Sequence, residues 1–257
     1  MTHSQERLYL IRELMRESGE FENKQVPEDD EGQKRLLRAL FNVRDPRPIS
    51  EEFLRIQDSY LTEETKLKGI VDIGCTESFE GGIHLWQGDI TRLSCDAIVN
   101  AANSQLLGCF IPCHGCIDNA IHSAAGVQLR LECYDLMKKQ GYPEPVGRAK
   151  ITAAYNLPCR YVIHTVGPYV SGTVTDEDRR LLENCYLSCL ELSREKGIKS
   201  IAFCCISTGE FHFPNEKAAG IAVNTVKNFR EKNSDCPEVI FNVFKDRDLE
   251  IYRKLLG

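Results

Sequence analysis

From Gly82 to the C-terminus the chain alternates between short β-rich runs and longer helical patterns, and this alternation constrains its fold more than any other feature. IHLWQGDI, DAIVNAAN, AKITAAY, RYVIHTV, SIAFCCIS and EVIFNVF read as strands. Between the second and third, IDNAIHSAAGVQLRLECYDLMKKQ reads as one long helix that ends on Gly141. Further helices are expected from about Asp176 to Lys196, stopped by Gly197, from about Glu216 to Lys232, and over the terminal LEIYRKLLG. Strands that take turns with helices imply an α/β chain with a mostly parallel central sheet and helices on both faces. Ligands of such sheets sit at the carboxyl ends of the strands.

Residues 1 to about 75 read differently. Leu8, Ile11 and Met15 recur at helical spacing, as do Leu36, Leu37 and Leu40, with acidic, Pro-containing connectors such as Gln25–Glu31. Apolar positions are too few for an independent core, so this helical preface is expected to pack on the α/β part of the chain. A chain of 257 residues fits one domain with an attached segment, around one core.

The formal charge of −6 argues against a protein that grips a nucleic-acid backbone, which needs clustered cations. The charged N-terminus MTHSQERLYLIRELMRES lacks the apolar core of a secretion signal, and no later run reaches the roughly 20 apolar residues that cross a bilayer, so the cytoplasm is the expected location, away from any membrane. Cys185, Cys189, Cys204 and Cys205 lie in apolar patterns and read as reduced core thiols. The thiols of CFIPCHGC are different, crowded with an imidazole into an irregular Gly- and Pro-containing loop, and point to a metal, with redox chemistry or inert thiols as the alternatives.

Three loops after strands carry unusual chemistry: QGDIT, NAANSQLLGCFIPCHGC and STGEFHFP. Neither a phosphate-binding GxxxxGK[ST] nor a GxGxxG is present. In order and spacing, GDIT, DAIVNAANSQLLG, IDNAIHSAAG and ISTGEFHFPNEKAA resemble the macrodomain, an ADP-ribose-binding module, over about Gly82–Gly257. The resemblance implies a three-layer α/β/α macrodomain with a mixed, mostly parallel central sheet over residues 76–257, preceded by a helical N-terminal extension over 1–75. Many macrodomains carry a run of glycines where this chain has CFIPCHGC, and that departure is similar to the zinc-dependent subgroup, whose members have a helical extension and remove mono-ADP-ribose from proteins.

On that resemblance Cys109, His114 and Cys116 are the ligands of one Zn²⁺ per chain, with a fourth position open to water or substrate. Cys113 stays open as a fourth ligand, a spare thiol or half of a disulfide. Asp89 is matched to the acid that accepts from the adenine amino group, with Ile90 giving a backbone contact, and Phe244 to the ring that stacks on adenine; ordinary core packing is the other reading of Phe244. Asn100 and Asn103 end a strand with amides suited to ribose hydroxyls, Asn103 reaching the distal ribose. Ser207, Thr208, Gly209, Glu210 and Phe211 follow a strand and precede a helix, so their backbone N–H groups can receive a diphosphate without cationic side chains, and Phe211 would lie against the distal ribose. Glu210 is hard to place beside a diphosphate, and whether His212 narrows the site is open. Asp118 is matched to the acid linked to catalysis, where it would align or deprotonate water; a helix-opening acid favoured by the dipole is the alternative. His122 and His164 are expected to pack or bond locally, and Trp86 to be core. The implied activity is hydrolysis of the bond between ADP-ribose and a protein side chain, with Asp or Glu as the expected one. A binding module or a deacylase of acyl-ADP-ribose are the alternatives. The implied partners are ADP-ribose and a mono-ADP-ribosylated protein, with a lipoyl-carrier protein suggested by the company such bacterial macrodomains keep.

Overall fold

A computed structural model describes residues 1–19 and 25–257, so part of the first helix connector lies outside it. Three helices lead the chain: α1 (His3–Ser18), α2 (Asp30–Val43) and α3 (Glu51–Lys68). Each opens on a side chain that takes up an otherwise unpaired helix N–H: Thr2 in a reciprocal box with Gln5, Asp29 from Gly32, and Ser50 from Phe53.

The expectation of one core is corrected here. Ile11, Leu14, Leu40, Phe53, Ile56 and Tyr60 belong to a second apolar cluster, built by the three helices and completed by Val127. Phe53, Ile56 and Tyr60 come from α3, and they supply the apolar surface that the first two helices lack.

The rest of the chain runs β1 (Val71–Asp72), β2 (Glu77–Phe79), β3 (Ile83–Gln87), β4 (Leu93–Ser94), β5 (Ala97–Ala102), α4 (Ile117–Ala125), α5 (Val127–Gln140), β6 (Ala149–Ala153), β7 (Tyr161–Val166), α6 (Asp176–Glu195), β8 (Ser200–Phe203), α7 (Asn215–Lys232), β9 (Glu238–Val243) and α8 (Asp246–Leu256). β1 and β4 pair alone, while a seven-stranded sheet has the order β2-β3-β9-β8-β5-β7-β6. Its interior pairs are parallel and both edge pairs antiparallel, the mixed, mostly parallel sheet expected. Trp86, expected in the core, is only half-buried, on the strand next to the β2 edge.

The single long helix expected after β5 is two. Gly126 separates α4 from α5 with φ 96° and ψ 178°, a backbone that side chains disfavour. A Cβ there would also stand 2.5 Å from the Gln57 side chain, whose oxygen accepts from the Val127 N–H. The break therefore seats α3 against the first turn of α5.

From β5 the chain runs out to the β6 edge, comes back to β7 and then passes β5 to reach β8. The strand-end loops of β5 and β8 consequently lead to opposite sides at the carboxyl edge of the sheet, the switch point at which open α/β sheets bind their ligands. The segments after β3, β5, β8 and β9 carry QGDIT, the cysteine loop, STGEF and Phe244 to this edge. Among the described residues no helix is long and apolar enough to cross a membrane.

Candidate functional site

The cysteine loop leaves β5 at Asn103 and ends at Cys116, the N-cap of α4, whose sulfur accepts from the Asn119 N–H. It brings Cys109, His114 and Cys116 together, with their donor atoms all within 4.8 Å of one another, and Cys109 Sγ lies 3.6 Å from His114 Nδ1. Tetrahedral zinc with Zn–S near 2.3 Å and Zn–N near 2.0 Å sets its ligands roughly 3.5–3.8 Å apart, so this soft donor set fits a zinc ion with one position left over. Cys113 is not part of the set. Its φ is +54°, its N–H donates to Asn42 and its thiol points at the Arg35 carbonyl, on the side of α2.

The other ring nitrogen of His114, Nε2, lies 3.7 Å from Glu210 Oε1. Glu210, hard to place from the sequence, thus turns towards the imidazole and joins the β8 loop to the cysteine loop. A carboxylate on the far nitrogen of a ligating histidine fixes its tautomer.

The β8 loop leaves backbone donors free. Ser207 and His212 sit in the left-handed region, Thr208 Oγ1 folds back on the Cys205 carbonyl, and the Phe213 N–H donates to Ser207. Among the described residues the N–H groups of Gly209, Glu210 and Phe211 find no protein acceptor, which is the condition for a backbone anion nest. Nothing stands within 4 Å of a Cβ at Gly209. At Gly167 a Cβ would fall 2.0 Å from the Ser207 hydroxyl, so only glycine after β7 lets the loop approach. Phe211 packs edge-on against Tyr169, at 5.9 Å between centroids.

Of the two asparagines, Asn100 differs from expectation. Asn100 is fully buried and donates to Asp118 Oδ1 at 2.8 Å and to His164 Nδ1 at 3.2 Å, so it supports the site from behind rather than facing a ribose. Asn103, half-buried, donates to the Gly108 carbonyl and to Asp118 Oδ2. Asp118 is buried with both oxygens engaged, and burial pushes its carboxyl up to about 6 against the pull of Asn100, Arg130 and Asn103. In this arrangement Asp118 is held between Asn100 and Asn103 with little of it exposed.

His122, Cys133 and His164 also converge, wholly inside the protein. Burial lowers both imidazoles, His164 to about 4, and raises the Cys133 thiol, so the trio is neutral and local, as expected of the two histidines. Asp89 caps the turn after β3 by accepting from the Thr91 N–H and hydroxyl, and Ile90 buries its side chain, which leaves only its backbone for a ligand. Phe244 is 74% exposed, which removes the core-packing alternative.

The Macro domain family pattern matches residues 99–222, from β5 through the β8 loop into α7. Over 261 aligned residues covering the whole of both chains, this chain is 53% identical to a Protein-ADP-ribose hydrolase of Treponema medium. The chain belongs to the macrodomain family. Two solved macrodomains share its fold. That of Oceanobacillus iheyensis with ADP has TM-score 0.64 and 38% identity, covering 70% of this chain and 93% of that one. That of Trypanosoma brucei in complex with ADP-ribose has TM-score 0.66 and 30% identity, covering 85% and 95%.

Sequence patterns alone do not single out four residues of this macrodomain, Arg38, Asn42, Asn119 and Arg130, which bond the cysteine loop or the helix ends around it. Arg38 and Asn42 lie in α2, far from the loop in sequence, and no spacing rule could pair them. Asn119 offered one signal: a polar residue one turn into a helix opened by a cysteine.

Proposed function

We propose that this macrodomain hydrolyses the bond between ADP-ribose and a modified protein side chain, with Zn²⁺ held by Cys109, His114 and Cys116. The observation that carries this reading is the 3.7 Å approach of Glu210 to His114, which sets the soft donor set against the loop that would receive the diphosphate. A module that only binds has no need of such a donor set at the sugar end of its cleft. Bound there, zinc would polarise and position an oxygen near the distal ribose, with two thiolates moderating its effect on a bound water.

The residues of the chain do the rest. Asp89 and the Ile90 backbone recognise adenine, Phe244 stacks on it, and the N–H groups of residues 209–211 hold the diphosphate. Asn103 and Phe211 fix the distal ribose, and Asp118 holds Asn103 through the bond between them. Water adds across the linkage, leaving free ADP-ribose and the unmodified side chain. An ester to Asp or Glu is the linkage proposed, since an acyl carbon is the centre most easily opened by a positioned water.

The test is release of free ADP-ribose from an auto-modified transferase and from a modified lipoyl-carrier protein, with and without chelator, beside ADP-ribose binding. Release that chelation abolishes is the expected result. Tight binding without release would make the protein a reader, and turnover of acyl-ADP-ribose alone would make it a deacylase.

A further inference from the structure

We propose that α2 of the N-terminal extension shapes the metal loop, with Arg38 and Asn42 as positioning residues for the ligands; this rests on the zinc reading above. The loop does little to hold itself. Of its backbone groups between Cys109 and Cys116, His114 N–H bonds within the loop, to the Ile111 carbonyl at 3.2 Å. Three ligands spread over eight residues need more than that to stay within one coordination sphere.

Arg38 supplies it as a fork. Its Nη2 donates to the His114 carbonyl at 2.9 Å, and Nε and Nη2 both donate to Asn119 Oδ1, at 3.1 and 2.8 Å. Asn119 is fully buried and passes the constraint on: its Nδ2 donates to the Ile111 carbonyl at 3.0 Å and its backbone N–H to the Cys116 sulfur. One guanidinium therefore fixes the backbone of one ligand and the side chain of the residue whose backbone N–H donates to the sulfur of another. Lysine has no such planar fork.

Asn42, one turn further along α2 and also buried, accepts from the Cys113 N–H at 2.8 Å and donates to Ser123 in α4 at 2.9 Å. This bond holds the left-handed residue that precedes His114. Arg130, from α5, closes the arrangement: it donates to the Phe41 and Asn42 carbonyls at the end of α2, and its guanidinium lies 4.2 Å from the centroid of Phe110 in the loop. The extension is thus part of the metal site's frame, although among the described residues none of its side chains belongs to the donor set.

The experiment measures zinc affinity of the full chain, stripped and then titrated in competition with a fluorescent chelator, together with Tm. Arg38→Met and Asn42→Ala are expected to weaken zinc about 10–100-fold, the range for residues that orient ligands. Arg38→Lys should fare little better than methionine, and Asn42→Asp, which keeps the acceptor for Cys113, should stay within a few-fold of the parent. Ile11→Val, in the second core, should lower Tm and leave zinc affinity unchanged. Zinc bound as tightly by Arg38→Met and Asn42→Ala as by the parent would overturn the positioning role alone, as would an equal loss in Ile11→Val. A parent chain that takes up no zinc would overturn the metal reading itself.

Discussion

The side-chain amide of Asn100, midway along β5, donates to the carboxylate of Asp118 at the start of α4 across 2.8 Å. The same nitrogen reaches His164 Nδ1 on β7, so one amide ties a strand, its neighbour and a helix together beneath the cleft. Asn100→Ala would leave a buried carboxylate short of a donor and a buried imidazole short of a partner. We expect kcat to fall about 10–100-fold with KM nearly unchanged, and stability to fall about 1–3 kcal/mol. A double-mutant cycle with Asp118→Asn should show coupling of about 0.5–3 kcal/mol. A direct ribose contact would instead raise KM and leave the cycle additive.

Much of the fold is legible in the sequence, because parallel sheets announce themselves by buried β-branched runs, and strand ends fix where a ligand lies. The cysteine loop is legible by its donor types alone. The role of Asn100 is not, since an asparagine in a strand reads the same whether its side chain faces in or out. Nor is the second core: the apolar residues of α3 are diluted by charge, and only packing against α1 and α2 shows them buried. The break at Gly126 is hidden because the pattern continues across it, and the distinction lies in a φ of 96° that the letter G permits without requiring.

Phe244 stands 74% exposed just past β9, where a largely uncovered ring is free to receive a base. Replacing it with alanine should weaken ADP-ribose by about 1–3 kcal/mol, the usual worth of one base–aromatic stack. Stability should change by no more than about 0.5 kcal/mol. Unchanged affinity by calorimetry would remove it from the nucleotide site.

Cys113 and Cys116 form a Cys-x-x-Cys in sequence but part company in the fold. The Cys113 thiol faces the Arg35 carbonyl, while Cys116 lies among the donors. Cys113→Ser should therefore keep its zinc, and Cys109→Ser or Cys116→Ser should lose most of it, by elemental analysis of protein purified without chelator. Equal loss in all three would place Cys113 in the coordination sphere.

His164 gives the fold an acid sensitivity whose sign is set by its surroundings. Nδ1 accepts from Asn100, Nε2 lies 2.9 Å from Thr152 Oγ1 and 3.7 Å from Cys133 Sγ, and the His122 ring is 6.1 Å away. Among the described residues no carboxylate pairs with it, and burial lowers it from 6.5 to about 4. A depressed imidazole contributes stability that is present above the unfolded value and is lost as pH falls towards the folded one, because the unfolded chain takes up the proton first. Between pH 7.5 and 5 the loss from this residue is about 2 kcal/mol. His122 is lowered by burial as well and adds in the same direction, whereas Asp118, pushed up to about 6, acts in the opposite direction over part of that range. The readout is therefore a difference: in urea unfolding at the two pH values, His164→Gln should lose about 2 kcal/mol less stability on acidification than the parent. Equal losses in the two proteins would mean that the interior already accommodates an imidazolium at this position.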